Sequence, residues 1–355
     1  MKRSVHEKVF FILILLVVVL GSLNIAKANG LLVPDQPNVA ILENTIVLSD
    51  LKLESKIAQM VVVGGSMSTG AWKRMNVGGV HIFALEDETV FSNAINKIQK
   101  NEEIPMFITA DFEGCVTPFG HMFSTKSNSE IKSEGEALDK GLADGKILAD
   151  LGFNVNFAPV VDLEDSIWKC RAYKGDVAKK AQAYIQGLQN NGILGVAKHY
   201  PGKTLVVRDP HKFLVTAEID KEDIEPYSYL AKQGDLGGIM ISHLITTGEV
   251  DSENIPTVVS ENVYDGVSEI FDGLLVSDEI HMLGLKSFYS SLDEMYIAVF
   301  KAGNDLVLNF DRDPTEVYRM IRVIVKAVER GEISEDKIDG SVRKILEAKG
   351  FTVVE

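Results

Sequence analysis

The chain has 355 residues, 46% of them hydrophobic and 25% charged, with 29 Gly against 10 Pro. That composition excludes a disordered polymer, a collagen-like repeat and a disulfide-stapled miniprotein. Its 51 acidic residues outnumber 36 basic ones for a net charge of −15, which repels phosphate backbones and argues against nucleic acid as a partner. What remains is a large soluble domain, an enzyme or a binder of something neutral or cationic.

Residues 1–28 stand apart from that domain. Lys2, Arg3 and Lys8 precede an unbroken apolar run, Val9–Leu20, followed by Gly21, Ser22 and the small-residue pattern Ala26-Lys27-Ala28. This order describes a secretory signal peptide cut after Ala28. The run is short for a bilayer span, which needs ~20 residues; an uncleaved N-terminal anchor is the alternative. The mature protein is expected to be exported, periplasmic or secreted, and without stable membrane insertion. Export would let Cys115 and Cys170 persist as a disulfide, but their spacing does not decide between a bridge and two separate thiols.

A Pro-containing lead-in occupies residues 29–50. From residue 51 to 355 short β-rich apolar runs alternate with longer amphipathic stretches. The runs are Gln59–Gly64, Gly79–Ala84, Pro105–Ala110, Asn154–Pro159, Gly192–Lys198, Gly237–Ser242, Gly273–Ser277 and Asp305–Asn309. Near-continuous hydrophobicity, as in Met60-Val61-Val62-Val63, is what strands buried on both faces require. Between them, Glu136–Leu151 places Leu138, Leu142, Leu148 and Ala149 largely on one side. Val177–Asn191 aligns Val177, Ala181, Tyr184, Ile185 and Leu188. Pro314–Arg330 presents Val317, Met320, Ile321, Ile324, Val325 and Val328 at helical spacing, and Ser334 opens a last helix that Gly350 stops. The alternation predicts an α/β fold, a single closed (β/α)8 TIM barrel, with an open doubly wound sheet as runner-up. Gly64-Gly65-Ser66 lacks the dinucleotide-binding glycine spacing, and no linker marks a second domain.

In such a barrel chemistry sits where strands end and βα loops begin. Polar residues gather there: Asp111-Phe112-Glu113-Gly114 after the third run, Asp162 after the fourth, Lys198-His199-Tyr200-Pro201-Gly202 and Asp209-Pro210-His211 after the fifth. Ser242-His243 follows the sixth run and Ser277-Asp278-Glu279 the seventh. Taken singly, Lys198 could cap the barrel rim, Asp278 could cap a helix starting at Glu279, and His243 and His281 could be ordinary half-buried histidines. Converging on one rim, they describe an active site. Zinc ligands could come from His199, His211, His243, Asp209 and Asp278, but the first strand ends in Val63-Gly64-Gly65 without the H-x-H pair such hydrolases carry. No metal and no cofactor are expected.

Lys198-His199-Tyr200-Pro201-Gly202 followed by Asp209-Pro210-His211 resembles the K-H-F-P-G-H-G-x(4)-D-S-H signature of family 3 glycoside hydrolases, in their single-barrel β-N-acetylglucosaminidase branch. Leu51–Met60 is similar to that family's opening L-T-L-E-E-K-I-G-Q-M. Asn154–Asp162 resembles N-x-N-F-A-P-V-x-D, and Val276–Met282 the I-S-D-D-L-x-M that carries the nucleophile. The resemblance runs through nearly the whole mature chain and implies retaining hydrolysis by double displacement. It makes Asp278 the nucleophile and His211 the acid and then base, a duty suited to a group that titrates near neutrality, with Asp209 orienting the imidazole. It assigns Asp111, Arg171, Lys198 and His199 to the sugar's hydroxyls and N-acetyl group. A histidine acid/base also leaves room for phosphate in place of water.

The chain departs from the family where D-Q-E-G-G-R-V-x-R becomes Asp111-Phe112-Glu113-Gly114-Cys115-Val116-Thr117-Pro118-Phe119, losing both arginines, to Val116 and Phe119. Lys203 and Thr204 replace a His-Gly, Pro210 replaces a serine, and R-S-F-G-x-D reads Arg171-Ala172-Tyr173-Lys174-Gly175-Asp176. The leading expectation is an exported enzyme that removes β-linked N-acetylglucosamine from peptidoglycan fragments or chitooligosaccharides. A β-glucosidase or β-xylosidase of the same family and a degenerate barrel that binds glycan without cleaving it are the alternatives. Oligomeric state has no signal in the sequence.

Overall fold

The computed structural model describes residues 5–28, 31–36, 39–65, 69–120, 122–205 and 213–355. Eight strands form its centre: β1 (Val61–Gly64), β2 (Gly79–His81), β3 (Phe107–Ala110), β4 (Val155–Asn156), β5 (Leu194–Tyr200), β6 (Gly238–Ile241), β7 (Leu274–Ser277) and β8 (Val307–Asn309). They pair in the order β7-β6-β5-β4-β3-β2-β1-β8, with every pair parallel. The two ends of that order meet. Val276 bridges Leu306, the Ser277 N–H donates to the Leu306 carbonyl at 2.8 Å, and the Leu308 N–H donates to Ser277 Oγ at 2.9 Å. The sheet therefore closes as a (β/α)8 barrel, which sets aside the open doubly wound alternative. Each apolar run read from the sequence holds one strand, trimmed at its ends, except that β5 runs on through His199 to Tyr200.

Outside the strands lie α1 (Thr69–Met75), α2 (Glu88–Gln99), α3 (Glu134–Leu151), α4 (Val177–Gln189), α5 (Lys221–Gln233), α6 (Glu261–Ser268), α7 (Leu292–Ala302), α8 (Pro314–Glu329) and α9 (Glu335–Ala348). α4 buries Val177, Ala181, Tyr184, Ile185 and Leu188, as its spacing predicts, and Asp176 caps its first turn by accepting the Lys179 N–H. α8 buries Val317, Met320, Ile321, Ile324 and Val325 behind an Asp313 cap and Pro314. In α9, Ser334 is the N-cap.

α3 corrects the sequence reading. It starts at Glu134 behind a Ser133 cap, and the stripe of Leu138, Leu142, Leu148 and Ala149 is not its buried face: Leu142 and Ala149 are exposed. The buried face holds Ala137, Gly141, Gly145 and Leu148 with a Lys140–Asp144 ion pair. Glycine replaces bulk there because the helices touch backbone to backbone. A Cβ on Gly141 would lie 2.2 Å from the Tyr184 carbonyl oxygen, and one on Gly187 would lie 2.5 Å from the Leu142 nitrogen.

The lead-in is not featureless. Ile41–Leu42 and Thr45–Val47 form an antiparallel pair, and Thr45–Val47 also pairs in parallel with Thr352–Val354, so the segment before the barrel is tied to the one after it. The N-terminal segment is a helix, Val5–Ala28, with Val9–Leu20 exposed along its length. It continues past Leu20, and the stretch Lys8–Ala26 is long and apolar enough, by length and composition, to cross a membrane.

Candidate active site

A cavity of about 230 Å³ opens at the C-terminal ends of the strands, lined by residues including Asp111, Glu113, Arg171, Lys198, His199 and Asp278. Its volume lies below the ~300–1,000 Å³ usual for drug-sized ligands, which suits a single ring. Five sequence-predicted site residues, Asp111, Arg171, Lys198, His199 and Asp278, line this one space although they come from four different segments. The remaining two, Asp209 and His211, lie outside the described residues.

Each wall has a local cause. Strand alternation continues past β3, so Asp111 and Glu113 face the cavity while Phe112 turns into the core. Asn156 at the end of β4 fixes that turn. Its Oδ1 accepts the Phe112 N–H at 2.9 Å and its Nδ2 donates to the Phe112 carbonyl at 3.0 Å. β5 delivers Lys198 and His199 side by side.

Lys198 is the hub. Its Nζ lies 2.5 Å from Asp111 Oδ1 and 2.6 Å from Glu113 Oε1. Arg171 clamps Glu113 with a fork, Nε to Oε2 at 2.6 Å and Nη2 to Oε1 at 2.9 Å. Burial pushes the Glu113 carboxyl up, but Lys198 and Arg171 outweigh it and hold the group at about 2. Asp111 likewise sits below its ordinary value, because Lys198 and His81 overcome its burial. Lys198 is raised: burial disfavours its charge, and the two carboxylates more than restore it.

His199 is held by Asp162, whose Oδ2 lies 3.0 Å from its Nδ1 and also accepts the His199 backbone N–H at 3.2 Å. The other Asp162 oxygen accepts the Thr204 N–H at 2.7 Å. On the far edge of the ring, Arg171 Nη2 stands 3.5 Å from Nε2. Since Arg can only donate, Nε2 is the acceptor and Nδ1 carries the proton shared with Asp162.

Arg171 is set by its loop. Asp165 accepts the N–H groups of Trp168, Cys170 and Arg171 at 2.7, 2.9 and 2.8 Å, and the Arg171 guanidinium lies over the Trp168 ring at 4.8 Å. Cys170 is joined to Cys115, which settles the open question of the two thiols and ties this loop to the one bearing Glu113 and Val116. At the opposite wall Asp278 follows β7, and its Oδ1 accepts the Glu279 N–H at 2.7 Å. No helix begins there; the short helix Leu283–Phe288 starts beyond Met282.

Several residues of this site carry little signal in the sequence. Glu113 and Asp162 stand among the polar strand ends read from the sequence but received no role there, although the period-two relation of Glu113 to Asp111 points into the same cavity. His81 and Trp168 had no such marker. His243 and His281 stay away from the cavity: His243 Nε2 meets the Glu279 carbonyl at 2.8 Å, and His281 Nε2 meets the Tyr296 hydroxyl at 3.2 Å. Among the described residues no group of three or more His, Cys, Asp or Glu could hold a metal ion. Of the two lost arginine positions, Val116 lines the cavity and Phe119 is buried edge-on to Phe112, with ring centroids 4.8 Å apart.

Carboxylates and cationic donors converging on a one-ring cavity at the C-terminal mouth of a (β/α)8 barrel define a barrel enzyme for a small polar substrate. Residues 52–348 match the glycosyl hydrolase family 3 N-terminal domain, and the chain belongs to that family; it is a glycoside hydrolase. Beta-hexosaminidase LpqI of Mycobacterium tuberculosis is 27% identical over 328 residues, covering 84% of this chain and 83% of that protein. A beta-hexosaminidase of Bordetella avium is 30% identical over 285 residues, 71% of this chain and 79% of its own. Among solved structures, a GH3 glycosyl hydrolase of Mycobacterium smegmatis superposes with a TM-score of 0.77 at 26% identity, covering 85% of this chain and 98% of that one.

Proposed function

We propose that the protein is an exported, retaining β-N-acetylhexosaminidase that releases terminal β-linked N-acetylglucosamine from peptidoglycan fragments or chitooligosaccharides. The observation that carries this reading is the meeting of Asp278 with Asp111, Arg171, Lys198 and His199 around one cavity. The names of the relatives over most of the chain support the choice of sugar, and the apolar N-terminal helix supports export.

In the first step the Asp278 carboxylate attacks the anomeric carbon as the glycosidic oxygen leaves with a proton from His211, giving a glycosyl-enzyme. In the second, His211 takes a proton from water, which attacks the same carbon and frees Asp278. Asp209 orients the imidazole; this pair is assigned from the sequence motif. The transition state builds positive charge at the ring, and the Asp278 carboxylate on the opposite wall is placed to favour it. Lys198 and Arg171, held in fixed forks, donate to sugar hydroxyls and the acetamide carbonyl, while Asp111 accepts.

Initial rates on aryl β-glycosides of GlcNAc, GalNAc, glucose and xylose test this reading, with and without phosphate. Release from the GlcNAc substrate, abolished in a folded Asp278→Ala variant, is the expected result; unchanged turnover in that variant overturns it. A second reading, glycan binding without cleavage, is motivated by the apolar Val116 and Phe119. It predicts sugar binding by calorimetry with no product on long incubation.

A further inference from the structure

We infer that His81 is a positioning residue for the glycone, fixing the carboxylate of Asp111 from the side opposite Lys198; this rests on the proposed assignment of Asp111 to the sugar. His81 ends β2 inside the barrel and is 3% exposed. No step of the proposed chemistry uses it. Its Nε2 lies 3.6 Å from Asp111 Oδ2, while Lys198 Nζ holds Oδ1 at 2.5 Å. The carboxylate is thus held at Oδ1 by Lys198 and faced at Oδ2 by the His81 ring at a distance longer than a hydrogen bond. These two groups from different strands limit its rotation and leave its remaining lone pairs for a ligand.

The ring itself has little freedom. Its Nδ1 is 2.9 Å from the Thr109 hydroxyl, and it stacks between Phe310 at 4.9 Å and Phe157 at 5.7 Å, with Phe83 edge-on at 4.8 Å. Burial holds the imidazole down at about 4, so it is neutral near pH 7. A neutral imidazole has one donor and one acceptor. Asp111 offers only acceptors, so Nε2 carries the proton toward Asp111 and Nδ1 accepts from the Thr109 hydroxyl. Thr109 precedes Asp111 by two residues on β3, so one histidine registers both the strand and the side chain at its tip. A polar, uncharged group here sets the carboxylate's direction without adding a second cation to compete for the sugar's oxygens.

The test is a double-substitution cycle on the aryl β-N-acetylglucosaminide. His81→Phe keeps the stacked ring and removes both nitrogens. It should raise KM about threefold to tenfold, the range of one polar contact, while kcat stays within about twofold. In an Asp111→Asn background the same substitution should add nothing, because its effect passes through that carboxylate. His81→Gln, whose amide can donate from the Nε2 side, should recover much of the loss and serves also if the Phe variant does not fold. An unchanged KM in folded His81→Phe, or penalties that simply add with Asp111→Asn, overturns the inference. A normal KM in Asp111→Asn alone overturns instead the assignment of Asp111 to the sugar. If the unsubstituted enzyme does not hydrolyse the substrate, the proposed function fails, and the same cycle is read on N-acetylglucosamine binding by calorimetry.

Discussion

Glu113 and Arg171 lock together through two parallel hydrogen bonds, 2.6 and 2.9 Å long, at a point where the carboxylate is fully buried and the guanidinium nearly so. Lys198 closes the cluster on the same carboxylate at 2.6 Å. Removing one partner of a buried pair leaves the others uncompensated, at a cost of about 3–5 kcal/mol. Glu113→Gln should therefore lower stability strongly and loosen Arg171 and Lys198 together. The pH dependence has a definite sign. Glu113 is held at about 2 against an ordinary 4.5, so its contribution is present above 4.5 and lost as pH falls toward 2. Urea titrations of both proteins should show a gap that narrows across that window; a constant gap would remove the ionised pair from the explanation.

The disulfide acts on the same cluster. Cys115 and Cys170 lie 55 positions apart, one residue before Val116 and one before Arg171, so the bridge joins two loops that wall the cavity. Closing a loop of that length is worth up to about 4 kcal/mol in chain-entropy accounting. Cys115→Ser with Cys170→Ser should lower the melting temperature and raise KM more than it lowers kcat, because the loop carrying Trp168 and Arg171 gains freedom. Reductant applied to the unsubstituted enzyme should reproduce both effects and have none on the double variant.

α3 offers a sharper test of packing. Gly141→Ala places a methyl 2.2 Å from the Tyr184 carbonyl oxygen, a backbone atom. Overpacking of a closed interface costs about 1–3 kcal/mol or more, even though alanine is the better helix former by about 1 kcal/mol. Thermal melts should show clear destabilisation. A neutral or stabilising result would mean that α3 and α4 can move apart freely.

The same helix shows what periodicity can and cannot reveal. β1 and β8 were legible because strands buried on both faces must be apolar throughout, and Val61-Val62-Val63 has no other use. The span of α3 was legible to within two residues of its start, but its buried face was not, because beside Ala137 and Leu148 it is built from Gly141, Gly145 and the Lys140–Asp144 pair, none of which registers as hydrophobic. The site divides in a similar way. Asp111, Lys198 and Asp278 announce themselves as charges breaking apolar runs at strand ends. His81 sits inside such a run, and Trp168 lies in a loop whose shape comes from Asp165 and the disulfide, long-range features that no local pattern encodes.

Glu279 makes the last prediction, because it sits beside the proposed nucleophile with a carboxyl of unusual acidity. Its Oε1 accepts the N–H groups of His281 at 3.0 Å and Phe310 at 3.2 Å. Burial pushes the group up to about 7; those two donors offset part of the rise, and the neighbouring Asp278 charge adds to it. Between its ordinary 4.5 and 7 the folded protein holds a proton that the unfolded chain has released, so stability should fall as pH rises through that window. Glu279→Gln, which stays neutral, should flatten that slope. Ionisation also places a second negative charge next to Asp278, so kcat/KM in the unsubstituted enzyme should bend near pH 7 on its basic side. In Glu279→Gln that bend should move upward or vanish. If it stays where it was, the limb belongs to another group, and the acid/base histidine proposed at His211 is the first to examine.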